Sequence, residues 1–196
     1  MTLSLILSMS LFALAASLSP GPVNLISLSS SARYGIKIGL TFVTGASLGF
    51  IVLFLLIGFG LNYFIDVLPW LTQVLQWLGI AFLLYLSYQL FSDNGELSSD
   101  ANNKAPSFMT GAIMQWVNPK AWLASISGIA AYIPNAEAFK VVTFASVYLP
   151  ICWLSLGVWV GIGIFLGQYF QSPAKMRLLN KSLALLLAGS CFLILI

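Results

Sequence analysis

Charge is so scarce in this 196-residue chain, with 8 basic and 5 acidic residues, that stretches lacking any charged side chain reach the thickness of a bilayer. They cover Met1–Ala32, Ile38–Ile65, Val67–Ser92, Ala105–Pro119, Ala121–Ala136, Val141–Ala174 and Ser182–Ile196. A charge at the centre of a membrane costs at least about 2.5–3.5 kcal/mol, and a spanning helix needs roughly 20 mostly apolar residues. Four of the stretches suffice alone. Two interrupted only by Lys120 join into one span, and the last reaches the required length from Leu178, with Lys181 snorkelling toward the interface. Six helices follow, near 3–30, 38–62, 68–91, 107–133, 141–169 and 178–196. Composition agrees: 7% of residues are charged and 60% hydrophobic, against about 25% charged in a soluble domain. The fold class expected is an all-α integral membrane protein.

Several chemistries are excluded. The chain has no histidine, which removes imidazole catalysis, haem ligation and most zinc sites. Cys152 and Cys191 sit in apolar runs without metal-type or redox-type spacing and read as free thiols packed as small hydrophobes. No metal site and no cofactor is expected, and no basic patch is large enough for nucleic acid. The first span is read as a retained helix and not a cleaved signal peptide, because no Lys or Arg precedes Arg33 and a signal peptide carries a basic n-region.

Lys and Arg asymmetry sets the orientation. Arg33, Lys37, Lys104, Lys175, Arg177 and Lys181 fall on one side of the six-span arrangement and only Lys140 on the other. Both termini are therefore expected outside the cytoplasm. Residues 1–196 form one membrane domain, in which the polar segment 92–106 is a cytoplasmic linker between two three-helix halves, 1–91 and 107–196. Halves with an odd number of spans, if they are repeats, must be inverted, an arrangement common among secondary transporters.

Corresponding spans of the two halves carry breaks. Ser19-Pro20-Gly21-Pro22-Val23-Asn24 lies deep in the first span, and Asn118-Pro119-Lys120 deep in the fourth. Proline removes a backbone donor and clashes with the preceding turn, and carbonyls freed within lipid must find partners. Ser19 before Pro20 and Asn118 before Pro119 suit the cap and first position of a restarting helix. A single proline reads best as a packing kink. Two breaks in matching spans, one beside an intramembrane lysine, favour a binding site whose half-helix N-termini attract an anion. Lys120 lies near the middle of its span, where snorkelling is awkward, and Asp66 and Glu137 lie near helix ends, off its level. It is expected either to meet a substrate carboxylate or to exchange a proton during a transport cycle.

Softer signals accompany these. Trp116, Trp122, Trp153 and Trp159 lie toward mid-depth, individually best read as core or lipid-facing, collectively able to line a cavity and hold an ammonium by cation–π contact. Trp116 is counted among the candidate binding residues. Gly45-x-x-x-Gly49, Gly157-x-x-x-Gly161 and Gly163-x-x-x-Gly167 mark close helix packing and permit a homodimer without requiring one. The Ser27–Ser31 run eases the end of the first span or lines a pathway.

Pro20-Gly21-Pro22, Gly35 and Gly39, Gly45-x-x-x-Gly49 and Asn118-Pro119-Lys120 resemble the LysE/RhtB superfamily of amino-acid exporters over almost the whole chain. Ser19-Pro20-Gly21-Pro22-x-Asn24, Leu28-Ser29-Ser30, Ala46-Ser47-Leu48-Gly49-Phe50 and Leu183-Ala184-Leu185-Leu186-Leu187 are especially similar to its cysteine/O-acetylserine branch. The resemblance implies a six-helix carrier of the bacterial inner membrane, driven by proton antiport, that expels small amino acids. Many members carry an acidic residue just after the second glycine of the second span, where this chain has Phe50. That departure argues against an acid-based coupling site there and against basic substrates.

The resulting expectation is a secondary exporter of small neutral amino acids or derivatives, working by alternating access. Pro20, Gly21, Pro22, Asn24, Trp116, Asn118, Pro119 and Lys120 would bind substrate. Asn24 and Asn118 would offer amide hydrogen bonds, and unwound carbonyls would accept from the substrate ammonium. Export of threonine, homoserine or leucine is the alternative. A non-transporting accessory subunit ranks lower, as does a membrane enzyme, for want of histidine and intramembrane acids. A pore would need a ring of like charge or a filter-like loop.

Overall fold

A computed structural model describes residues 2–61, 105–133, 137–169 and 172–195, together with scattered positions within 77–92. The third expected span, 68–91, and the linker, 92–106, lie largely outside the described residues. Every regular element described is helical.

The first expected span is two helices, α1 (Leu3–Leu18) and α2 (Pro22–Tyr34), bent by 59° at the break. Helix α1 stops where Pro20 and Pro22 deny it donors. Restart occurs two residues later than Ser19-Pro20 implies: Gly21 is the N-cap and Pro22 the first helical residue, whereas Ser19 caps the end of α1. The correction is physical. A residue preceding proline is pushed out of the helical region, so Pro22 holds Gly21 extended and the helix starts at Pro22 itself.

Helix α2 ends at Gly35, whose φ of 81° belongs to the left-handed region open to glycine; the same residue starts α3 (Ile36–Leu56), which continues into a π-helical turn at Ile57–Leu61. The second half begins with α4 (Phe108–Trp116), where Ser107 and Thr110 cap one another reciprocally, and α5 (Pro119–Tyr132), restarted by Asn118. Helix α6 (Ala138–Tyr169) runs 32 residues through Pro150, and α7 (Pro173–Leu195) begins earlier than hydropathy suggests. The Ser172 hydroxyl accepts from the Lys175 N–H and its carbonyl from the Met176 N–H, which fixes that start. Helix α3 with its turn, as Ile36–Gly60, and helix α6 are each long and apolar enough to cross a membrane, and the α1–α2 pair passes the same test only when its two bent halves are taken together.

Helix α2 sits inside the bundle, with every residue from Pro22 to Ser31 buried. It packs chiefly on α6, while α3 packs chiefly on α4. Small residues allow both approaches. A Cβ on Gly45 would collide with the Phe108 carbonyl, and one on Gly49 would lie 2.6 Å from the Ala112 carbonyl oxygen. On the other side, Gly163 abuts Leu28 and Ser31, and Gly167 abuts Ala32. Gly157 and Gly161 differ from the packing role expected of them: no described atom comes within 4 Å of a Cβ at either position. Those two glycines face none of the described neighbours.

Candidate functional site

At the first break, backbone acceptors outnumber backbone donors, and the fold supplies side chains to close the difference. The Ala15 carbonyl accepts from the Ser19 N–H and the Ala16 carbonyl from the Ser19 hydroxyl. Asn24 Nδ2 donates to the Ser17 carbonyl at 2.9 Å, reaching back across the break. Trp159 Nε1, from α6, donates to the Leu18 carbonyl at 3.2 Å. Lys120 Nζ donates to the carbonyls of Ser19 at 2.6 Å and Pro20 at 3.3 Å. Each carbonyl from Ala15 to Pro20 thus has a donor, as low-dielectric surroundings require.

The second break is built more simply. Asn118 Oδ1 accepts from the Lys120 N–H at 3.1 Å, and Pro119, which has no N–H to satisfy, takes the first helical position. Asn118 Nδ2 donates to Gln115 Oε1 at 3.4 Å, and Trp122 Nε1 to the Trp116 carbonyl at 2.7 Å. Because Lys120 is the second residue of α5, the turn that ends α4 also aims its ammonium at the first break. Gly21 makes room for it: a Cβ there would sit 3.0 Å from Lys120 Cδ and 3.1 Å from Nζ.

A cavity of about 40 Å³ lies beside this junction, room for roughly three waters at about 10–15 Å³ each. Its amides and its charge come from the two breaks, namely Asn24, Gln115, Asn118 and Lys120, with Ser17 beside them, and its aromatic wall is Phe50 of α3 and Tyr148 of α6. Asn24, Gln115 and Asn118 are all at most 5% exposed. Cys152, a buried free thiol, also lines it. Three of the expected binding residues, Asn24, Asn118 and Lys120, therefore meet at one cavity. Pro20, Gly21, Pro22 and Pro119 shape the breaks beside it.

Trp116 departs from expectation: it is not among the residues lining the cavity, and its carbonyl, not its ring, takes part in the break. Trp122, Trp153 and Trp159 do not line it either. Their indole N–H groups go to the Trp116 carbonyl, the Thr44 hydroxyl and the Leu18 carbonyl, so they tie elements together and present no aromatic cage. The serine run of α2 likewise turns inward: Ser27, Ser29 and Ser31 bond carbonyls of their own helix. Lys120, expected without a partner, has two carbonyls. Gln115 was missed, although a lone amide three residues before Asn118 in an apolar span is a readable signal. Phe50 and Tyr148 carry no such signal, since their roles come from a contact between distant helices.

With that geometry in view, comparison with known proteins is informative. The LysE type translocator family matches residues 14–196. A cysteine/O-acetylserine efflux protein of Salmonella typhimurium (strain LT2) is 28% identical over 187 residues, covering 90% of both chains. One from Escherichia coli (strain UTI89) is 28% identical over 198 residues, covering 95% of both. No solved structure matches the chain significantly. Over nearly its full length, this chain belongs to the LysE type translocator family.

Proposed function

We propose that the protein is a secondary exporter of small neutral amino acids or their derivatives, of the cysteine/O-acetylserine type, in the bacterial inner membrane. The observation that carries the reading is the Lys120 ammonium seated on the Ser19 and Pro20 carbonyls beside a polar cavity. A zwitterion offers both halves of that contact. Its carboxylate pairs with Lys120 in a charge-assisted bond, and its ammonium takes over the vacated carbonyls. In the empty carrier, Lys120 occupies the place of the substrate's own ammonium. Asn24 and Asn118 add amide contacts. Family membership supports transport over enzymatic chemistry, and the names of the relatives support the substrate class.

The same reading takes the chain as six spans in two inverted three-helix repeats, with both termini outside the cytoplasm. Alternating access then comes from one half rocking against the other around the joined breaks. Proton antiport supplies the driving force, with Lys120 the charged group at the cavity that exchanges the proton.

Reconstitution into liposomes tests the proposal. Protein-containing vesicles preloaded with cysteine or O-acetylserine should accumulate the labelled compound by counterflow, and an imposed proton gradient should drive net movement. Absence of counterflow for every small neutral amino acid in protein that retains its fold would contradict it.

A further inference from the structure

The cavity wall is divided by origin. Its amides and its lysine belong to the broken spans, whereas its two rings, Phe50 and Tyr148, belong to α3 and α6, and α6 adds Cys152 and Leu156. A zwitterion held by its charged ends at the breaks directs its side chain across the cavity, toward the wall that Phe50 and Tyr148 form. We infer that Phe50 and Tyr148 set the upper size limit of the transported side chain, an assignment that rests on the amino-acid reading above.

Three observations support it. First, the two rings meet edge to face with centroids 4.6 Å apart, closing that side of the cavity without a gap between them. Second, the wall has nowhere to retreat. Phe54 lies 6.0 Å from Phe50 and 5.6 Å from Tyr148, and Phe144 lies 5.5 Å from Tyr148 and 5.1 Å from Phe54. Phe54 and Phe144 are both 0% exposed. Interiors packed in this way resist the insertion of extra methylenes. Third, the free space of about 40 Å³ suits a hydroxymethyl or thiomethyl group better than a branched or aromatic one.

The test is counterflow of cysteine against leucine by reconstituted Phe50→Ala, Phe50→Leu and Phe54→Leu proteins. Wild type should favour cysteine, and Phe50→Ala should shift the cysteine-to-leucine ratio toward leucine by about tenfold or more, the scale of hydrophobic-pocket discrimination. Phe50→Leu, which keeps more of the packing, should shift it in the same direction by less and carries the test where the alanine variant does not fold. Phe54→Leu thins the backing behind that wall and should lower thermal stability while shifting the ratio toward leucine by less than Phe50→Ala does. An unchanged ratio in folded Phe50 variants that still carry cysteine would overturn the size limit while leaving amino-acid transport intact. So would equal transport of leucine and cysteine by wild type. Wild type that exchanges no amino acid would instead overturn the parent reading, and this assignment with it.

Discussion

Lys120 Nζ lies 2.6 Å from the carbonyl oxygen of Ser19, joining two helix breaks 101 positions apart in the chain. Neither break is complete without this contact. At the first break Lys120 supplies the donor for the Ser19 and Pro20 carbonyls, and the second carries a cation with no acid paired to it among the described residues. A bond between a full charge and a carbonyl is worth roughly 1.5–3 kcal/mol, and it is the kind of contact a ligand of matching charge can exchange.

Gly21→Ala tests how closely the lysine must fit. The backbone at Gly21, with φ of −170°, accepts an alanine without strain. The new methyl would press on Lys120 Cδ and Nζ at 3.0 and 3.1 Å. The ammonium must then shift from its carbonyls. Loss of about 1.4 kcal/mol of binding corresponds to a tenfold change, so the substrate KM in counterflow should rise about tenfold with little change in Tm. A wild-type KM would mean that the lysine is not held where the account requires.

Asn118 has two separable duties. Removing its cap in Asn118→Ala should cost about 0.5–2 kcal/mol, read as a lower Tm of the purified protein. Asn118→Asp keeps an acceptor for the Lys120 N–H but puts a carboxylate beside the cavity. That variant should retain the wild-type Tm and lose transport of an anionic-headed substrate. Transport by Asn118→Asp at the wild-type rate would confine Asn118 to capping.

The donors that cross the first break should matter for folding even where they do not touch substrate. Trp159→Phe removes the partner of the Leu18 carbonyl, and leaving a carbonyl unsatisfied away from water costs about 1–3 kcal/mol. A lower Tm is expected, whereas Trp116→Phe, which alters no bond from the indole to this break, should leave it near the wild-type value. Thermal unfolding in detergent distinguishes the two.

Gly45→Ala should be far more damaging than Gly157→Ala. The first forces a methyl against the Phe108 backbone, where no flexible side chain can give way, and overpacking of this sort costs roughly 1–3 kcal/mol. The second adds a methyl where no described atom lies within 4 Å. Comparable losses of Tm in both would show that Gly157 is covered by a partner, such as a second copy of the chain.

Much of this arrangement is legible in the sequence, for reasons that differ from residue to residue. The breaks are legible because proline acts locally: Pro20, Pro22 and Pro119 interrupt a helix whatever surrounds them. Lys120 is conspicuous because a charge inside an apolar run is costly. Gly45 and Gly49 declare themselves by spacing, whereas the same spacing at Gly157 and Gly161 meets no described neighbour, since a small residue permits close approach without saying from which side. The tryptophans mislead for a related reason. An indole is both an aromatic face and an N–H donor, and sequence does not reveal that at 122, 153 and 159 the donor decides. Phe50 and Tyr148 are invisible as a pair because their contact joins α3 to α6 across almost a hundred residues.

The central claim is that the two breaks form one site in which Lys120 meets the substrate. Counterflow of labelled cysteine by reconstituted Lys120→Met, beside Lys120→Arg and wild type, addresses it most directly. The methionine variant keeps the length of the side chain without its charge. Loss of at least about tenfold in exchange is expected, the scale of a lost charge-assisted bond, with part of the rate restored by arginine. Exchange by folded Lys120→Met at the wild-type rate would contradict the claim.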